Sequence, residues 1–125
     1  GIAGHVIVGN NITIGALTTI HQFCSIGDYS FIGMNTSINM DIPAYVKVAA
    51  DPARVIGLNS VGMSRNNITA DSISLIKKAY KLVYRKGLKI DEAIKKSKKL
   101  NEGVDDPFLN IFIQSLEVSE RGILR

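Results

Sequence analysis

Every sixth residue in the first third of the chain is a β-branched aliphatic: Ile2, Val8, Ile14, Ile20, Ile26, Ile32 and Ile38. The residue after each is small or polar (Ala3, Gly9, Gly15, His21, Gly27, Gly33, Asn39). Four places after each aliphatic stands a compact or β-branched residue: Val6, Ile12, Thr18, Cys24, Ser30, Thr36 and Ile42. A helix repeats its apolar face about every 3.6 residues and a strand about every two, so neither explains a period of six. The spacing predicts a coil of short parallel strands, each hexad giving one strand with an inward aliphatic and then a turn. Gly or Asn would serve the turn at a position of positive φ. Coils stacked at the strand spacing of about 4.8 Å align the aliphatics in interior columns. This is a hexapeptide parallel β-helix over residues 1–50.

The period stops near Asp41-Ile42-Pro43, and residues 51–68 read as an extended connector with turns, marked by Pro52 and several Gly and Asn. Helical signals fill residues 69–125, predicted as a small three-helix domain. Thr69 is a candidate N-cap, with Ile73, Ile76, Tyr80 and Val83 on one stripe and Gly87 as the stop. Asp91 is a candidate cap for a second helix, with Ala93, Ile94 and Leu100 inward and four lysines outward, ending near Gly103. Asp106-Pro107 opens a third, carrying Phe108, Leu109, Phe112 and Leu116. The fold class is therefore mixed, β first and then α. Seven hexads make fewer than three coils, and no capping segment precedes Ile2, so the sequence reads as lacking upstream coils.

The net charge of +4 is mild, but its distribution is uneven. Lys77, Lys78, Lys81, Arg85, Lys86, Lys89, Lys95, Lys96, Lys98 and Lys99 crowd one stretch. No aromatic or glycine motif of a nucleic-acid-binding module accompanies them, which argues against such a partner. Cys24 is the only cysteine, so no internal disulfide forms and a reducing compartment fits. No apolar run is long enough to span a bilayer, and nothing in the chain suggests a metal or a cofactor.

Specific segments go further. Ala3-Gly4-His5, His21-Gln22-Phe23-Cys24, Gly57-Leu58-Asn59, the run Ala79-Tyr80-Lys81-Leu82-Val83-Tyr84-Arg85 and the closing Ser119-Glu120-Arg121-Gly122-Ile123-Leu124-Arg125 resemble the UDP-N-acetylglucosamine O-acyltransferases, in their C-terminal portion. Hexads are shared by many acetyltransferases; His-Gln-Phe-Cys followed by this tail is more specific. The resemblance implies left-handed coiling in a triangular prism and a cytoplasmic homotrimer with sites between subunits. It also implies transfer of a 3-hydroxyacyl group from acyl carrier protein to the 3-hydroxyl of UDP-N-acetylglucosamine, the first step of lipid A synthesis.

Residue by residue, the resemblance implies an oxyanion-binding N–H at Gly4. It implies nucleotide-sugar contacts at His5, His21 and Gln22, and nucleotide contacts at Asn59 and Arg65. Met34 matches the position that limits acyl-chain length, where Met in place of Gly shortens the groove toward a decanoyl-type donor. The family's catalytic histidine would lie about one coil before residue 3, so no general base is named here; His5 is the nearest substitute. Ser64-Arg65-Asn66-Asn67 lacks the family's second Arg and following Gly, and Val61 replaces an acidic residue found in some members. The lysine-rich helices offer a basic face for acidic acyl carrier protein. The competing readings are a CoA-dependent hexapeptide acetyltransferase and a non-catalytic trimer-assembly fragment.

Overall fold

The computed structural model describes residues 1–125, and the hexads fold as their spacing predicts. Strands β1 (Ile7–Val8), β2 (Thr13–Ile14), β3 (Thr19–Ile20), β4 (Ser25–Ile26), β5 (Phe31–Ile32) and β6 (Ser37–Ile38) are two residues each. Each lies parallel to the strand three hexads away: Ile7 pairs with Ser25, Thr13 with Phe31, Thr19 with Ser37. Three hexads thus make one coil, and the coils stack into three faces.

Inside, Ile20, Ile26, Ile32 and Ile38 are at most 1% exposed. Burying each such side chain contributes about 1.5–3 kcal/mol. The second interior column is polar in part. Thr18, Cys24, Ser30 and Thr36 are buried, and the hydroxyls of Thr18 and Thr36 both donate to the Gly33 carbonyl, at 3.0 and 2.8 Å.

The turns bear out one expectation at Asn11 and Asn35 and correct it for the glycines. Positive φ falls on His5, Asn11, Leu17, Phe23, Tyr29 and Asn35, with φ from 56° to 68°, and on none of Gly9, Gly15, Gly27 or Gly33. The first three of those glycines are needed for another reason: a Cβ would strike the Asp28 carboxylate from Gly9, the Met34 backbone from Gly15 and the Ala44 backbone from Gly27. Left-handed backbone costs a residue with a side chain about 1–2 kcal/mol. Rungs between coils offset this, with Tyr29 N donating to Asn10 O at 2.9 Å and Asn35 N to Ala16 O at 2.8 Å. Ring stacking adds to it, His5 on Phe23 with centroids 5.2 Å apart and Tyr29 on Tyr45 at 5.4 Å.

A second correction concerns the end of the period. It does not stop at Asp41-Ile42-Pro43 but slips, one turn being two places short. Strand β7 (Val46–Ala49) lies parallel to β5, Phe31 pairing with Lys47 and Ile32 with Val48, where an unbroken period would have chosen Ala49 and Ala50. Ile26 likewise bridges to Ile42. Ile42 and Val48, 2% and 0% exposed, therefore continue the interior columns. The shortened turn is held by Asp41, whose carboxylate accepts from Ser25 N at 2.8 Å and from the Ser119 hydroxyl at 2.6 Å. The backbone of the C-terminal tail fills the gap: Asp41 N donates to Gly122 O at 3.0 Å and Leu124 N to Asp41 O at 2.8 Å.

The connector over 51–68 is also more ordered than its composition suggests. Strand β8 (Arg54–Leu58) runs antiparallel along the outer edge of β7, and α1 (Ser60–Arg65) follows. Helix α1 makes a fourth, ahead of the three read from the sequence. In α2 (Ala70–Tyr84), Thr69 caps by accepting from Ser72 N, and Ile76, Ala79, Tyr80 and Val83 are buried. Helix α3 (Ile90–Leu100) begins one residue before Asp91, which therefore sits in the first turn and does not cap it; Lys89 occupies the cap without a side-chain bond. The Asp91 carboxylate still faces the positive end of the helix dipole. In α4 (Pro107–Glu117), Asp106 caps as expected, accepting from Phe108 N and Leu109 N. Its other oxygen accepts from Ser72 at 2.6 Å and joins α4 to α2. The Tyr45 hydroxyl donates to Phe108 O at 2.8 Å, and Ala44 N donates to the Ser115 hydroxyl at 3.0 Å, fixing α4 to the last coil.

Candidate functional site

The three-hexad register decides which predicted residues meet. Gly4-His5 and Gln22-Phe23 stack at one corner of the prism, since His5 and Phe23 are one coil apart and their rings lie 15° from parallel. His21 precedes this corner, exposed, with Nε2 3.5 Å from the Ser37 hydroxyl. Gly4, His5, His21 and Gln22 are all exposed, and nothing lies within 4 Å of where a Gly4 Cβ would be. A cleft beside the corner is lined by Ile2, Ala3, Thr19, Ile20, His21 and Gln22. The corner presents a backbone N–H open to approach, two imidazoles and a primary amide, a set suited to a polar, anionic ligand.

The remaining predicted residues lie elsewhere. Asn59 belongs to the corner of Tyr29 and Tyr45. It is buried, and its amide is engaged at both ends, donating to Tyr29 O at 2.9 Å and accepting from Gly62 N at 3.1 Å as the cap of α1. Arg65 ends α1 as an exposed cation. Met34 is 70% exposed at the third corner, near Leu17, 81% exposed. The three corners of one chain do not bring Asn59, Arg65 and Met34 to His21.

Two features escaped the sequence reading. Arg121 reaches across 99 residues of sequence to donate from Nη1 to the carbonyl of Gln22, with the Cys24 sulfur 3.9 Å away. Its only sequence signal was membership of the closing Ser119–Arg125 run. Asp41 joins that tail to the coil; its signal was a carboxylate inside an apolar repeat. Cys24 itself is fully buried, and burial pushes its thiol pKa up, with the Arg121 charge opposing. Such a thiol is a packing group rather than a nucleophile.

On the helices, Lys77, Lys81, Arg85 and Lys86 line one cleft with Leu58, Ser60 and Tyr80. On α3, Lys96 pairs with Glu92 at 3.8 Å and Lys98 with Glu117 at 2.8 Å. No three His, Cys, Asp or Glu side chains are grouped to hold a metal ion. No helix is long and apolar enough to cross a membrane.

A profile of the family described as UDP N-acetylglucosamine O-acyltransferase, domain 2, matches residues 41–124. The chain belongs to that family. It is 41% identical over 124 residues to the acyl-[acyl-carrier-protein]–UDP-N-acetylglucosamine O-acyltransferase of Ectopseudomonas mendocina, covering 99% of this chain and 47% of that one. The crystal structure of the UDP-N-acetylglucosamine O-acyltransferase of Moraxella catarrhalis superposes with a TM-score of 0.93 at 42% identity, over 100% of this chain and 48% of that one. The Arabidopsis enzyme gives 0.87 at 29% identity, over 97% and 45%. The chain thus spans about half the length of the relatives it matches.

Proposed function

We propose that this chain is part of an enzyme that moves a 3-hydroxyacyl group from acyl carrier protein to the 3-hydroxyl of UDP-N-acetylglucosamine, at the start of lipid A synthesis in the cytoplasm. The observation that carries the reading is the gathering of Gly4, His5, His21 and Gln22 at one exposed corner of a chain that belongs to this acyltransferase family. In the reaction a general base takes the proton of the sugar hydroxyl and its oxygen attacks the thioester carbonyl. The carbon–sulfur bond then breaks, the carrier leaves as its thiol, and the acyl ester remains on the sugar. Gly4 N–H is the proposed donor to the oxyanion formed on the way. His5, His21 and Gln22 are the proposed contacts of the sugar and its diphosphate, and no general base is assigned among these residues.

The separation of the other residues supports a homotrimer of left-handed prisms. With three corners per prism and three prisms around an axis, the Met34 corner of one subunit can face the Gln22 corner of the next. Met34 and Leu17 would then wall an acyl groove, while Arg65 approaches the nucleotide and Asn59 acts by holding α1. The cleft of Lys77, Lys81, Arg85 and Lys86 would receive the acidic carrier protein.

The test is transfer by the full gene product, with mass spectrometry of the UDP-sugar. Acylation from 3-hydroxyacyl carrier protein, weakened by salt through the carrier and not through UDP-sugar binding, supports the reading. Transfer from acetyl-CoA alone would replace it with a CoA-dependent acetyltransferase, and no transfer from either donor with trimers intact would leave an assembly module.

A further inference from the structure

We propose that Arg121 is a positioning residue for the diphosphate contact at Gln22, an inference that rests on the functional reading above. Coil-to-coil rungs hold the other two corners. Asn10 O accepts from Tyr29 N at 2.9 Å and Ala16 O from Asn35 N at 2.8 Å, in each case from the residue three hexads and one place further on; Asp28 O accepts from Tyr45 N at 2.9 Å across the shortened coil. The same rule would give the Gln22 carbonyl to Asp41 N. At this corner the rung is missing from both coils: Phe23 N does not donate to Gly4 O, and Asp41 N donates to Gly122 O instead. Arg121, the residue before Gly122, takes its place from the side: its guanidinium donates to Gln22 O.

The bond is charge-assisted, and so is stronger than the amide rung it replaces. Its anchor is rigid, since Ser119 is bonded to Asp41, Gly122 N donates to the Ser119 hydroxyl at 3.1 Å, and Leu124 is bonded to Asp41. Its target needs support. Phe23, next to Gln22, holds φ at 68°, and the bond across this turn from Cys24 N to His21 O is long at 3.4 Å. Fixing the Gln22 carbonyl fixes the peptide plane that joins Gln22 to Phe23, and with it the Cα from which the Gln22 side chain projects. The C-terminal tail thereby sets the geometry of a binding turn 99 residues away in sequence. Arg121 is itself exposed, so direct attraction of the diphosphate is the rival account, and the two differ in whether Gln22 is required.

The experiment is calorimetric titration of UDP-N-acetylglucosamine into the full gene product, as wild type, Arg121→Ala, Gln22→Ala and the double variant, with thermal unfolding of each. A positioning role predicts that Arg121→Ala weakens binding about tenfold, within the range of coupling between contacting residues, and adds little in the Gln22→Ala background. Arg121→Lys, which keeps a donor for the carbonyl, should fall between, and carries the test if the alanine variant does not fold. Equal weakening in both backgrounds would overturn positioning in favour of direct contact. Wild-type affinity in Arg121→Ala would overturn any role in binding. A wild-type protein that binds no UDP-N-acetylglucosamine would overturn the functional reading itself, and this inference with it.

Discussion

Replacing Tyr45 by phenylalanine removes one oxygen from the joint between the last coil and α4. The Tyr45 ring is fully buried against Tyr29, and its hydroxyl donates to Phe108 O at 2.8 Å. Losing that bond costs about 1–2 kcal/mol near neutral pH. The same burial, with the nearby charges of ionised Tyr29, Asp28 and Asp106 adding to it, pushes the Tyr45 pKa well above its ordinary value. A tyrosine whose folded pKa is raised stabilises the protein fully below the unfolded value of about 10, and that contribution is lost as pH rises above it. The loss is about 1.4 kcal/mol per pH unit for this one group. A phenylalanine cannot ionise, so Tyr45→Phe escapes it. The variant should therefore be less stable at neutral pH and draw level with wild type about half to one and a half units above the unfolded tyrosine pKa. Groups remote from Tyr45 contribute equally to both proteins and cancel in the difference. Urea unfolding followed by circular dichroism at a series of pH values measures the gap directly. A gap that stays constant from neutral to alkaline pH would refute the assignment of a buried, neutral phenol at this joint.

Gly27→Ala should cost about 1–3 kcal/mol, because its Cβ would meet the Ala44 backbone and not a flexible side chain; a loss under about 0.5 kcal/mol in urea unfolding would mean the coils have room to part. Gly4→Ala, with open space around its Cβ, should unfold like wild type while its acyl-transfer rate falls; an unchanged rate would remove Gly4 from the oxyanion role. Met34→Gly should shift the preferred donor from ten-carbon toward fourteen-carbon chains, each added methylene gaining up to about 0.8 kcal/mol of burial; equal wild-type rates with both donors would end the idea of a ruler at this residue. Cys24 should resist thiol reagents near about pH 8 until denaturant is added, and prompt labelling of the native protein would show that the coil opens at Arg121.

The interior of the prism was legible because it repeats. Ile20, Ile26, Ile32 and Ile38 occupy equivalent environments, so one rule of spacing recovers them all. The outside of the turns was not. Left-handed backbone at Leu17, Phe23 and Tyr29 runs against the preference of each residue taken singly, and it is stabilised by rungs and ring stacks from the adjoining coil that local reading does not contain. The glycines were visible, but their reason lies in the adjacent coil. Ile42 and Val48 were hidden by a slip of two, since a fixed period loses phase at one shortened turn. Among the helices, the Thr69 and Asp106 caps were readable because their partners are two or three places away, whereas α1 is too short to show a periodic face. At the site, residue types were legible and their grouping was not: the register puts Gln22 over Gly4 and leaves Met34 and Asn59 on other corners.

Because a coil is three hexads and a face is one, the neighbours of any corner are settled by counting. Insertion of a whole coil between Ile14 and Thr19 would lengthen the prism and keep every residue above it on its own corner. Insertion of a single hexad there would turn the rest of the chain by one face and carry Gln22 away from Gly4 to a different edge. Changes of length in this molecule therefore act by their remainder as well as by their size. A whole coil keeps Gln22 on the edge of Gly4 but one coil farther along it, where a single hexad moves it to another edge.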